Sequence, residues 1–85
     1  MARVKSHANV VGPQVRALRL AQGLTQGQLA ARCQLAGLGL SRGTYSHVEA
    51  RLRCVTDEEL FLLATVFKVA LEELYPPDWK KRVSV

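Results

Sequence analysis

Thr25-Gln26-Gly27-Gln28-Leu29-Ala30 and, further along, Ser41-Arg42-Gly43-Thr44-Tyr45-Ser46-His47-Val48-Glu49-Ala50 read as two helix starts joined by a glycine-containing turn. In the first, Thr25 and Gln28 have capping-box spacing, so that each side chain satisfies the other residue's free backbone N–H. Leu29, Ala30 and Cys33 then form an inner face, and Gln34 to Leu40 ends the helix. In the second, Ser41 is the N-cap. Leu40 before it and Tyr45 after it are spaced as a hydrophobic staple. Tyr45 and Val48 point inward. Arg42, Gly43, Ser46, His47 and Ala50 fall together on the other side, as helical periodicity requires.

The flanking segments supply the rest of a helical fold. Gly12-Pro13 opens a first helix, since proline fits its opening turn at no cost in hydrogen bonds. Val15, Leu18 and Ala21 are its expected inner stripe and Gly23 its stop. Thr56 and Glu59 form a second capping box, and Asp57, Glu58 and Glu59 sit where the helix dipole favours anions. Leu60, Leu63, Ala64 and Phe67 give that helix its core stripe. A short last helix over Leu71–Tyr75 is expected to stop at Pro76-Pro77. No segment alternates with strand periodicity, so the expected fold is all-α with five helices. The expected division is a basic N-terminal arm over 1–11, a domain over 12–76 and a C-terminal tail over 77–85.

Charge is unevenly distributed along the 85 residues. Residues 1–55 carry eight Lys and Arg against Glu49 alone, a net of +7, whereas 56–85 carry four against six acids, a net of −2; together these recover the overall +5. One half should therefore attract a polyanion, although solvated arginines would produce the same count. Apolar residues make up 48% of the chain, enough for one small core. The longest apolar stretch, around Leu60 to Phe67, is too short to span a bilayer, and the N-terminus lacks the apolar run of a signal peptide. A cytoplasmic location is expected, and with it two reduced thiols at Cys33 and Cys54. His7 and His47 have no ligand spacing to either cysteine, so neither a metal nor another cofactor is expected. No nucleophile elbow, phosphate loop or paired catalytic carboxylate points to an enzyme.

From Leu24 to Tyr75 the chain resembles the phage-repressor (Cro and cI-like, XRE-type) helix-turn-helix family. The matching pieces are Gly23-Leu24-Thr25-Gln26 with Gln28-Leu29-Ala30, then Ser41 to Glu49, and finally Val69-Ala70-Leu71-Glu72-Glu73-Leu74-Tyr75. The resemblance implies a lambda-repressor-like DNA-binding domain, a transcriptional regulator, encoded by a bacterium or phage and associated with the nucleoid. It implies base contacts from Arg42, Gly43, Thr44, Ser46 and His47. Arg42 is the foremost of these, because guanidinium pairs bidentately with guanine O6 and N7. Gln26 matches a phosphate-binding position, and Arg51 and Arg53 are placed for phosphates beyond the recognition helix. Arg19 and Glu49 match a structural salt bridge between the first and third helices. The chain departs from the family between Ala30 and Ser41, where the connection is longer than usual.

Two partners besides double-stranded DNA follow from these readings. Phe61, Leu62 and Val66 lie off the core stripe of the fourth helix and, with Trp79 in the tail, form a possible homodimer surface, unless the last helix and tail cover them. Dimers are expected because one such module makes few contacts, and two half-sites about 34 Å apart add affinity. The mode expected is operator occupancy that represses transcription or recruits polymerase. The competing reading is an antitoxin or other protein-interaction module, in which the same apolar surface binds a toxin.

Overall fold

Four α-helices and one 3-10 turn organise residues 9–78, the part of the chain described by this computed structural model. In chain order they are α1 (Gly12–Ala21), α2 (Gln26–Leu35), α3 (Arg42–Glu49), α4 (Asp57–Phe67) and the turn Leu71–Leu74. No strand occurs among the described residues. Both expected capping boxes form: Thr25 with Gln28 opens α2, and Thr56 with Glu59 opens α4. Ser41 caps α3 by accepting the Thr44 N–H.

The fifth helix expected over 71–75 is corrected to a single 3-10 turn. Tyr75 is already extended, with ψ 148°. The following Pro76 disfavours the α region at that residue. Too few residues remain after Ala70 to nucleate an α-helix. In α1 the inner stripe also differs, because Ala21 is exposed while Arg19 is buried along with Val15. At the N-terminus, Asn9 and Val11 are buried against the domain, whereas residues 1–8 of the expected arm lie outside the described residues. Residues 79–85 of the expected tail, Trp79 among them, lie outside them as well.

The core is built around the inner face of α3. Tyr45 and Val48 are fully buried and share one cluster with Val15 of α1, Leu29 and Cys33 of α2, Leu63 and Phe67 of α4, and Leu74. The long connection between α2 and α3 joins this core. Gly37 takes a left-handed φ of 90° to close α2, after which Leu38 and Leu40 both turn inward and are buried. The Leu40 N–H donates to the Leu38 carbonyl at 2.8 Å, pinching the chain between the two leucines. The connection thus gives α3 two apolar anchors at its entry.

All four helices end with one hydrogen-bond pattern. One or two residues past each helix end a residue turns left-handed, its N–H bonding back three residues and the next N–H back five. Gly23 and Gly37 fill that position after α1 and α2, but Arg51 (φ 61°) and Lys68 (φ 59°) fill it after α3 and α4. A side chain in this conformation costs roughly 1 kcal/mol against glycine. Exposed Lys68 is the clean test. Lys68→Gly should stabilise the protein by about 0.5–1 kcal/mol, read as a rise in the urea midpoint at unchanged slope; a fall would show that the lysine side chain contributes more than its backbone costs.

Candidate nucleic-acid interface

A helix that is to enter a groove must be held firmly from behind, and α3 is held by charge as well as by packing. Arg19 of α1 grips Glu49 at the end of α3 through Nε–Oε2 at 2.6 Å and Nη2–Oε1 at 3.1 Å. Its Nη1 donates to the Leu24 carbonyl at 2.7 Å. Gln26, the first residue of α2, donates from Nε2 to Glu49 Oε1 at 3.1 Å. One carboxylate therefore joins α1, α2 and α3. Burial alone would push the Glu49 carboxyl up, but the hydrogen bonds from Arg19 and Gln26 and the Arg19 charge outweigh it and hold the group below its ordinary value of 4.5. The same pairing raises the Arg19 guanidinium further. The Tyr45 hydroxyl is buried beside them without a hydrogen bond of good geometry, and burial pushes its pKa up, reinforced by the adjacent Glu49 carboxylate.

The outer face of α3 is open. Arg42, Gly43, His47 and Ala50 are exposed, and Thr44 and Ser46 are half-buried. The Arg42 stem runs towards the start of α2: its Cδ is 3.7 Å from where a Cβ on Gly27 would stand. The two hydroxyls are partly committed. Ser41 donates to Thr44 Oγ1 at 3.0 Å, and Ser46 donates to the Gly43 carbonyl at 2.7 Å. Thr44 accepts there and keeps its own O–H to donate to a base or phosphate, whereas Ser46 has spent its proton and keeps lone pairs for a base donor.

The three expected phosphate ligands have unlike surroundings. The Gln26 amide is tied to Glu49, so what it presents at the N-terminus of α2 is fixed in direction. Arg53 is paired bidentately with Glu59, Nη1–Oε1 at 3.2 Å and Nη2–Oε2 at 3.1 Å. Burial would raise the Glu59 carboxyl, yet this pairing and the Thr56 N–H bring it below the ordinary range. Arg51 meets no carboxylate among the described residues, and its Nε donates to the Asn9 carbonyl. Asn9 gave no motif in the sequence. A polar residue just ahead of the Gly12-Pro13 helix start was its only signal.

Away from this face, Phe61 is 65% exposed while Leu62 and Val66 are half-buried. Cys33 and Cys54 are both free, and burial pushes the Cys33 thiol up to about 11. Among the described residues no group of three or more His, Cys, Asp and Glu could hold a metal, and no helix is long and apolar enough to cross a membrane.

Residues 15–74 match the helix-turn-helix family. The chain is similar to the restriction-modification controller protein C.AhdI from Aeromonas hydrophila, with 34% identity over 76% of this chain and 91% of that one and a TM-score of 0.67. It is also similar to the DNA-binding domain of BldD, with 28% identity over 89% of this chain and 100% of that one and a TM-score of 0.69. The hypothetical transcription factor NHTF from Neisseria matches at 25% identity over 93% of this chain and 86% of that one, with a TM-score of 0.71. No curated protein matches the sequence.

Because Glu49 titrates at lower pH folded than unfolded, it stabilises the fold above about pH 4.5, and that contribution is lost as pH falls through the depressed folded value. Glu49→Gln leaves Arg19 buried without its countercharge and should cost about 3–5 kcal/mol at pH 7. Urea unfolding at pH 7, 4 and 3 should show a weaker acid dependence for the variant than for wild type. Parallel curves would mean that Glu49 does not govern acid stability.

Proposed function

We propose that this chain, which belongs to the helix-turn-helix family, regulates transcription by laying α3 in the major groove of an operator and so occluding or recruiting polymerase. One observation carries the reading: α3 presents an exposed polar outer face led by Arg42, while its inner face is packed in the core and its terminal carboxylate is clamped from α1 and α2. A B-DNA major groove about 12 Å wide admits one helix, which reads base edges near its N-terminus. Arg42 occupies that end and is the assigned reader of guanine. Thr44, Ser46 and His47 supply secondary contacts to bases, and Gly43 allows close backbone approach. Phosphates flanking the groove are taken by the start of α2 with Gln26, and by Arg51 and Arg53 beyond α3, which position the protein without reading sequence. Arg53 is the weaker of the two arginines in this role, because a phosphate must compete there with Glu59.

Affinity is supplied by a homodimer formed around Phe61, with Leu62 and Val66, half-buried against the core, at its edge. Phe61 is the most exposed of the three. A phenylalanine open to this degree on a small domain is a natural anchor for a second copy.

Selection from random duplexes, followed by fluorescence anisotropy at physiological salt, tests the reading; a chain that prefers no duplex over random DNA would sink it. Arg42→Ala should lose about 1–3 kcal/mol on the selected site and relax the requirement at one base pair, whereas an equal loss on random DNA would reassign Arg42 to the backbone. In sedimentation velocity, Phe61→Glu should shift the chain from dimer to monomer while leaving helicity by circular dichroism intact. A wild-type chain that sediments as a monomer at micromolar concentration would remove the dimer.

A further inference from the structure

The end of α3 meets the start of α1 in a junction built on one buried asparagine. Asn9, 1% exposed, donates from Nδ2 to the Val48 carbonyl at 2.8 Å and to the Arg53 carbonyl at 3.1 Å. Its Oδ1 accepts the Gly12 N–H at 2.9 Å. Gly12 is pressed close enough that a Cβ there would run into the Val48 carbonyl oxygen. Asn9 is thereby fixed on three sides. Its own backbone carbonyl accepts a hydrogen bond from Arg51 Nε at 2.7 Å.

We propose that Asn9 is a positioning residue for DNA binding, holding the Arg51 guanidinium as a preset fork for one backbone phosphate. The proposal rests on the DNA-binding reading above and adds to it a group that no motif signalled. Arg51 is half-buried just past the C-terminal end of α3, where a helix lying in the groove would meet flanking phosphates. A guanidinium has five N–H donors in a rigid fork. The Asn9 carbonyl takes one of them, at Nε, and being neutral leaves the positive charge uncancelled. The planar Nη edge keeps the geometry that matches two phosphate oxygens. Arg53 differs, since its Nη edge faces the Glu59 carboxylate, whose charge offsets its own. A long arginine normally loses rotamer freedom on binding; here part of that ordering already exists in the free protein.

The test compares Arg51→Lys, Arg51→Ala, Asn9→Ala and the double variant Asn9→Ala/Arg51→Ala, each bound to the selected duplex and to a random one, with urea unfolding used to correct for the folded fraction. Arg51→Lys keeps the charge and the fold but removes the fork, and should weaken both duplexes about tenfold. Arg51→Ala should in addition reduce the slope of log affinity against log salt by about one. Asn9→Ala should weaken binding in the wild-type background and have no further effect once Arg51 is alanine. Losses that simply multiply in the double variant would overturn the coupling. Arg51→Lys binding as tightly as wild type would overturn the fork, even if the Asn9 variants prove too unstable to measure. A wild-type protein that binds neither duplex would instead remove the DNA-binding reading itself.

Discussion

Everything that α3 does depends on Glu49 being charged and enclosed. A carboxylate so little exposed is tolerable only when its charge is neutralised and its oxygens are bonded, and here Arg19 and Gln26 share that work from two different helices. The result fixes the end of α3 in both position and rotation. Packing by Tyr45 and Val48 would by itself leave a helix of eight residues some freedom to roll about its axis. The ion pair removes that freedom, because only one rotation brings Glu49 to the guanidinium. The same enclosure keeps a negative charge away from the face that would otherwise repel phosphate.

Much of this was legible in the sequence where the signal was local. Thr25 with Gln28, Thr56 with Glu59, and Ser41 mark helix starts through side-chain chemistry that spans three residues, and all three starts form as read. The inward pair Tyr45 and Val48 and the outward set around Arg42 follow from period alone. Helix ends were less legible. Gly23 and Gly37 announce a left-handed closure, but Arg51 and Lys68 adopt the same conformation with no residue type to betray it. The last helix is not decidable from sequence, because apolar spacing over five residues cannot separate an α turn from the 3-10 turn that forms.

The candidate site was legible as a set of residues and illegible as a set of commitments. Gln26, Arg51 and Arg53 all looked like exposed polar groups near a helix end. The structure ties the first to Glu49, the second to the Asn9 carbonyl and the third to Glu59, contacts whose partners lie 6 to 42 residues away in the chain. Asn9 is silent in the sequence because its partners, the Val48 and Arg53 carbonyls, become neighbours only when α1 and α3 pack. The turn between α2 and α3 is likewise ambiguous in sequence, because nothing local shows that Leu38 and Leu40 both enter the core.

Glu59 serves two masters. It closes the capping box that begins α4, through the Thr56 N–H, and it pairs with Arg53 in the loop that follows α3. An anion drawing Arg53 towards itself takes bonds from a residue that also secures the first turn of α4, the helix bearing Phe61. The loop after α3 and the first turn of α4 therefore share one carboxylate, and neither end can be rearranged without disturbing the other's hydrogen bonds.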